Sequence, residues 1–160
     1  MVLHRARGYM RTALSEPPSC CVDGLRIPGP ADMSRLAVLM QDAYAGTVDE
    51  EDETLEATLA EVRKTFRDGY GAFLPHCSAV IERDGHFASA ILVTRWQRRP
   101  FVAFLMTAPA WKRHGLARAC LAWTMHALWQ RGESELRLAV TLANTPALRL
   151  YESLGFRMET

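Results

Sequence analysis

The chain has 160 residues, a formal net charge of +1, 49% hydrophobic residues and 23% charged residues. These values fit one globular domain and give no electrostatic ground for expecting a nucleic-acid partner. No apolar run approaches the ~18 residues of a membrane span, so no membrane partner is expected either.

Residues 1–19 are basic early and proline-bearing late, with no long apolar core after the early charges. They read as a disordered tail, with a single domain over 20–160. The cysteines are Cys20, Cys21, Cys77 and Cys120, with no C-x-x-C pair and no metal-ligand spacing. Reduced thiols, a cytoplasmic location and no bound metal are therefore expected. Cys77 follows His76, so a nucleophilic Cys–His pair stands beside the reading of a structural thiol.

Leu25, Arg26 and Ile27 read as a short strand that Pro28, Gly29 and Pro30 end. Asp32 can cap a helix with Leu36, Leu39, Met40 and Ala43 on one face, stopped by Gly46. An acidic loop over 47–53 leads to a second helix carrying Leu55, Leu59, Val62 and Phe66, with Gly69 past its end. That loop is either a solvated connection or a wall that attracts a cationic acceptor. Residues 70–75 form a loop with aromatics. Two strands, 78–83 and 87–96, are joined through Asp84-Gly85, a hairpin signal. The wholly apolar stretch 101–106 reads as a strand buried on both faces.

After that strand come Lys112, Arg113, His114, Gly115, Leu116, Ala117 and Arg118, and then apolar residues at helical spacing, Leu116, Ala119, Cys120, Trp123 and Ala127. A basic, glycine-containing turn thus precedes a helix N-terminus, where unpartnered N–H groups and the positive end of the dipole suit a phosphate. Leu136, Leu138, Val140 and Leu142 alternate with Arg137, Ala139 and Thr141, which is strand period. Thr145 can cap a last helix whose face is Ala147, Leu150, Tyr151 and Leu154, ended by Gly155. The order is β-α-α-β-β-β-α-β-α-β, an α+β chain with a central mixed sheet flanked by helices.

Lys112-x-x-Gly115-x-Ala117 resembles the acetyl-CoA signature of the GNAT N-acetyltransferase superfamily, with Lys112 where that family usually has Arg or Gln. NTPALRLYESLGF, 144–156, resembles the second signature at Asn144, Ala147, Leu150, Tyr151, Gly155 and Phe156, at the family's usual distance. The resemblance implies the GNAT acyl-CoA N-acyltransferase fold and direct transfer from acetyl-CoA to a primary amine. It implies that Leu105, Met106 and Thr107 pair with the pantetheine. The turn from Lys112 to Arg118 would hold the pyrophosphate, and Asn144 would bind the pantetheine or its neighbours. Tyr151 would serve the departing thiolate, and the two central strands would splay at the cofactor. Tyr44, Phe73 and Trp96 would lie near the acceptor. The family's frequent glutamate is missing from 101–106, which leaves Glu50, Glu51, His76 and Glu82 as candidate bases. That absence keeps open a non-catalytic acyl-CoA-binding module. The chain also ends soon after Phe156, and an unfinished sheet edge there points to a homodimer.

Overall fold

Three strands made from consecutive sequence build the middle of the sheet: β4 (Ala79–Arg83), β5 (His86–Trp96) and β6 (Arg99–Thr107). The computed structural model describes residues 6–16, 22–51 and 53–160. Asp84 and Gly85 make the tight turn between β4 and β5 with φ of 52° and 76°, the geometry an Asp-Gly pair favours. Gln97 and Arg98, with φ of 51° and 67°, make the turn between β5 and β6 in the same way without a glycine. The remaining strands are β1 (Arg7–Ala13), β2 (Leu25–Arg26), β3 (Ala72–Phe73), β7 (Glu135–Thr141) and β8 (Arg157–Met158). The sheet runs β2-β4-β5-β6-β7-β1-β8, with β3 pairing β5, and among the described strands β6 and β7 alone pair in parallel. This mixed sheet, flanked by helices, is the expected fold.

The N-terminus corrects the expectation of a disordered tail. Residues 7–13 pair antiparallel with β7 along its whole length, from Arg7 against Thr141 to Ala13 against Glu135. The physical reason is a period of two: Met10 and Thr12 are buried while Arg7, Tyr9, Arg11 and Ala13 are exposed. β8 then pairs on the outer side of β1. The sheet beyond β7 is therefore completed by the chain's own start, and no unfinished edge beside β7 calls for a second subunit. The other residues of the expected tail, 1–5 and 17–19, lie outside the described residues, as do Cys20 and Cys21.

Two helix pairs cover the two faces. α1 (Met33–Tyr44) and α2 (Leu55–Phe66) bury Leu36, Leu39, Met40 and Val62 against Val80, Ala90, Leu92 and Met106. α3 (Leu116–Gln130) and α4 (Thr145–Ser153) lie on the other face, where Cys120, Leu121, Leu128 and Tyr151 meet Ile91, Val93, Leu136 and Leu138. α2 starts at Thr54, whose hydroxyl accepts from Ala57 N at 3.1 Å. Its buried stripe is Thr58, Val62 and Thr65, so Leu55 stays exposed. The 101–106 strand departs from expectation, because Ala103, Phe104 and Leu105 are only half-buried. Cys77 and Cys120 are buried thiols outside any disulfide, and burial pushes the Cys77 thiol up, away from nucleophilic use. Among the described residues no helix is long and apolar enough to cross a membrane.

Asp32 does not cap α1 with its side chain. It accepts from Gly29 N at 2.7 Å and takes the Arg26 guanidinium on both oxygens at 2.8 Å. The guanidinium, and then the Gly29 N–H, hold its carboxyl below the usual carboxylate range. Removing one partner of such a pair strands the other, so Asp32→Ala is expected to destabilise the fold by ~1–3 kcal/mol. Because the folded carboxyl titrates lower than the unfolded one, its contribution is present above pH ~4 and fades as pH falls through the depressed value. Denaturant unfolding of both proteins at pH 7 and in acid checks this: the difference shrinks in acid.

Candidate active site

The site forms where β6 and β7 separate. Their parallel pairing is confined to Phe101 with Arg137 and Val102 with Leu138. On its other edge β6 carries a bulge: Leu92 and Val93 face Phe104 and Val102, so Ala103 is the extra residue. Beyond Val102 the β7-facing edge of β6 has no strand beside it. Half-buried Ala103, Leu105 and Thr107 border the resulting opening.

At its upper end β6 passes through the short Pro109–Trp111 turn into α3. Arg113 and Gly115 take φ of 67° and 76°, and a Cβ placed on Gly115 would meet nothing within 4 Å. The backbone of this turn is open to an approaching group, and Lys112, Arg113, His114, Gly115 and Arg118 are all exposed. Two of the expected charges are engaged elsewhere. Lys112 Nζ donates to Ala43 O at 3.4 Å, tying the turn to the end of α1, and Arg118 donates to Ser153 Oγ. His114 packs edge-on to Trp111. Leu116 is buried and Ala117 half-buried beneath the turn.

The chemistry-bearing groups gather on the β7 side. Tyr151 lies on α4, 8% exposed, with its ring against Phe156 at 5.8 Å. Its hydroxyl makes no hydrogen bond among the described residues. Burial first, and then the Asp49 charge, push it up to about 12. Tyr44 at the end of α1 is also raised, by burial and by the nearby Tyr151 and Asp49. Asp49 arrives from the loop between α1 and α2. It accepts from Thr141 Oγ1 at 2.5 Å and from Asn144 Nδ2 at 3.1 Å. Thr47 braces it, accepting from Asp49 N at 3.2 Å and donating to Tyr44 O at 2.8 Å. Asn144 caps α4, where Thr145 was expected to, by accepting from Ala147 N at 3.2 Å. Both ends of its carboxamide are thus bonded within the chain.

The other expected residues scatter. Trp96 sits at the β5–β6 turn, the far end of the sheet, against Phe101 and Tyr9. Phe73 packs on Phe66 beneath α2. Glu82 is held by Arg26 and Arg35 at the β2 edge, and both guanidiniums lower it. His76 is exposed in the turn before β4. Glu50 and Glu51 stay on the exposed side of the loop, and the carboxylate that reaches the opening is their neighbour Asp49. The acidity of 47–53 was the available signal for it; which carboxylate turns inward was not.

Residues 38–156 match the Acetyltransferase (GNAT) family. The [Ribosomal protein bS18]-alanine N-acetyltransferase of Escherichia coli (strain K12) is 44% identical over 52 residues, 32% of this chain and 35% of that protein. The match thus spans about a third of this curated relative's length. A crystal structure of the ribosomal-protein-S18-alanine N-acetyltransferase from Escherichia coli superposes with a TM-score of 0.66 and 25% identity, covering 85% of this chain and 78% of that one. A GCN5-related N-acetyltransferase from Sphaerobacter thermophilus gives a TM-score of 0.74 at 22% identity, over 96% of this chain and 48% of that chain. The PaiA N-acetyltransferase of Thermoplasma acidophilum, in complex with coenzyme A, gives 0.68 at 18% identity over 84% of this chain and 89% of that one. These last two likenesses concern the fold. With the family matched over well more than half its length, on a sheet parted at the expected strands, the chain belongs to the GNAT family of N-acetyltransferases.

Proposed function

We propose that this chain moves the acetyl group of acetyl-CoA onto a primary amine by direct attack, and that residues 7–160 work as one domain. One observation carries the reading: the opening between β6 and β7 has a buried phenol, Tyr151, and a loop carboxylate, Asp49, at the same mouth.

The residues present fit the coenzyme. The turn at Gly115 leaves room for a bulky anion at the backbone, and the first N–H groups of α3 lie there without helical partners. Leu105, Met106 and Thr107 pair with β5 on one side and lie beyond the β7 pairing on the other, where outward backbone groups suit amides added like a strand. Acetyl-CoA supplies the thioester. The chain does the rest. Asp49 attracts the acceptor ammonium and takes its proton, freeing the lone pair that attacks the carbonyl carbon. The attacking nitrogen sheds its second proton as the carbon–sulfur bond breaks, and Tyr151 donates a hydrogen bond to the sulfur as it gains charge; the thiolate leaves and takes its proton from water. A backbone N–H of β6 polarises the carbonyl oxygen.

The rival reading, a non-catalytic acyl-CoA binder, drew on the missing carboxylate in β6. Asp49 offsets that absence from the loop. A panel of primary amines with acetyl-CoA, followed by release of free thiol, tests the choice. Turnover on at least one amine supports the enzyme; tight acetyl-CoA binding with no turnover on any supports the binder.

Gly115→Glu is expected to abolish acetyl-CoA binding measured by calorimetry. The side chain fills the open approach and its charge repels the pyrophosphate. The positive φ adds a cost of ~1–2 kcal/mol, so the variant unfolds a few degrees earlier but still folds. Unchanged affinity would remove this turn from the coenzyme site.

A further inference from the structure

The helices α1 and α2 cover only one half of their face of the sheet. Among the described residues no helix lies on the other half, over β7, β1 and β8, where Arg7, Tyr9, Arg11 and Arg157 are exposed. Direct cross-strand partners place Arg137, Arg11 and Arg157 side by side in one row across β7, β1 and β8. Arg137 takes Glu159 on both oxygens at 2.8 Å, and Arg99 takes Glu135. Arg11 and Arg157 form no ion pair among the described residues, and neither does Arg7 two pleats further along β1. Like charges set directly opposite one another weaken a sheet, and here Glu159 offsets Arg137 and acts on Arg11, while Arg157 has no carboxylate bonded to it among the described residues. Tyr9, 44% exposed, stacks on Trp96 at 5.9 Å, and Trp96 packs on Phe101 at 5.0 Å, which makes an aromatic wall beside the row. The arginine end is hollowed into a groove of about 730 Å³.

The open face is continuous with the site. Arg7 stands opposite Thr141, the residue that donates to Asp49, and its charge acts on Tyr44. From Arg7 to Arg11 is ~14 Å along the strand at ~3.4 Å per residue.

We propose that this face docks an acidic stretch of a polypeptide acceptor, whose amine reaches the opening between β6 and β7 while its carboxylates meet Arg11 and Arg157. The proposal rests on the acetyltransferase reading and adds the class of acceptor. Charge decides the occupant. Two guanidiniums outside any ion pair at the end of the track suit carboxylates on an extended chain, and the Tyr9, Trp96 and Phe101 rings suit the apolar side chains between them. A nucleic-acid backbone carries a charge on every unit and needs a continuous basic track, whereas Glu135 and Glu159 break this one on a chain whose net charge is only +1; a peptide can place its few carboxylates at Arg11 and Arg157 alone.

The test uses the full chain and pairs of heptapeptides with a free α-amine, carrying Asp or Asn at the fourth to sixth residues. With acetyl-CoA in low salt, kcat/KM for the Asp peptide should exceed that for the Asn peptide at least tenfold, and high salt should erase the difference. The double variant Arg11→Gln, Arg157→Gln should treat the two peptides alike and keep the wild-type rate on alaninamide, which is too short to reach the row. Without acetyl-CoA, a fluorescein-labelled Asp peptide should bind the wild type and lose at least tenfold in affinity with the double variant. A single variant, Arg157→Gln, on the short β8 edge, should show an intermediate loss and guards against a misfolded double. Equal rates and equal binding for both peptides would overturn the proposal. So would a single-stranded oligonucleotide that binds this face more tightly than the Asp peptide. If no amine is turned over, the acetyltransferase reading fails, and the binding comparison still decides the face.

Discussion

Tyr151→Phe is expected to lower kcat by ~10²–10³ while acetyl-CoA affinity changes less than about tenfold, or ~1.4 kcal/mol. The ring stays, so its contact with Phe156 and the α4 face survives; only the hydroxyl is lost. The size follows from the environment. Burial and the Asp49 charge push the phenol up to about 12, against ~8.5 for an ordinary thiol. Complete proton transfer to such a thiolate is uphill by ~5 kcal/mol, whereas a hydrogen bond to the growing charge is favourable throughout. Tyr151 therefore acts mainly as a donor that is always protonated, with a magnitude like that of an oxyanion-hole donor. The pH sign follows too. A raised value means that the donor is lost only as pH climbs toward about 12, so no fall in rate below pH ~11 should trace to this group. Steady-state kinetics on the best amine, with cofactor titration of both proteins, decides. Full activity in the Phe variant would remove Tyr151 from the chemistry.

Local signals were legible where one stretch of chain makes its own structure. The Asp84-Gly85 hairpin, the glycine turn before α3, and the Asn144-to-Phe156 spacing all depend on near neighbours, and all fall where expected. The parting of β6 and β7 was also foreseen, from the family resemblance. β1 was not. Its partner lies some 130 residues away, its outward face is Arg7, Tyr9 and Arg11, and seven residues of alternation in a basic stretch look like a tail. The same long-range pairing completes the edge that had suggested a second subunit. Asn144, expected at the pantetheine, gives its oxygen to α4 and its nitrogen to Asp49 in the fold. Neither use is visible without knowing that the loop after α1 folds back over the end of β7.

Asp49→Asn should be the most damaging conservative change in that loop, with kcat/KM for the amine falling by ~10²–10⁴ and acetyl-CoA affinity changing less than tenfold. Two consequences of the substitution need separating. A carboxamide cannot hold an ammonium ion or take its proton. It also accepts from only one of its two present donors, and the Thr141 hydroxyl must turn round to accept from the new N–H₂ if the loop is to keep both contacts. Thr141→Val isolates the second effect. It removes one anchor of the loop, leaves the carboxylate in place, and should cost less than about tenfold, since a single hydrogen bond contributes ~0.5–1.5 kcal/mol. The pH dependence gives an independent reading. Without a base, only the neutral fraction of the acceptor reacts, so the Asn variant should gain about tenfold per pH unit until the amine's own pKa, ~8 for an α-amine, while the wild type rises less steeply. Wild-type rates in Asp49→Asn would end its role as base. A loss matched in full by Thr141→Val would reduce Asp49 to a loop anchor and return the missing proton acceptor to solvent.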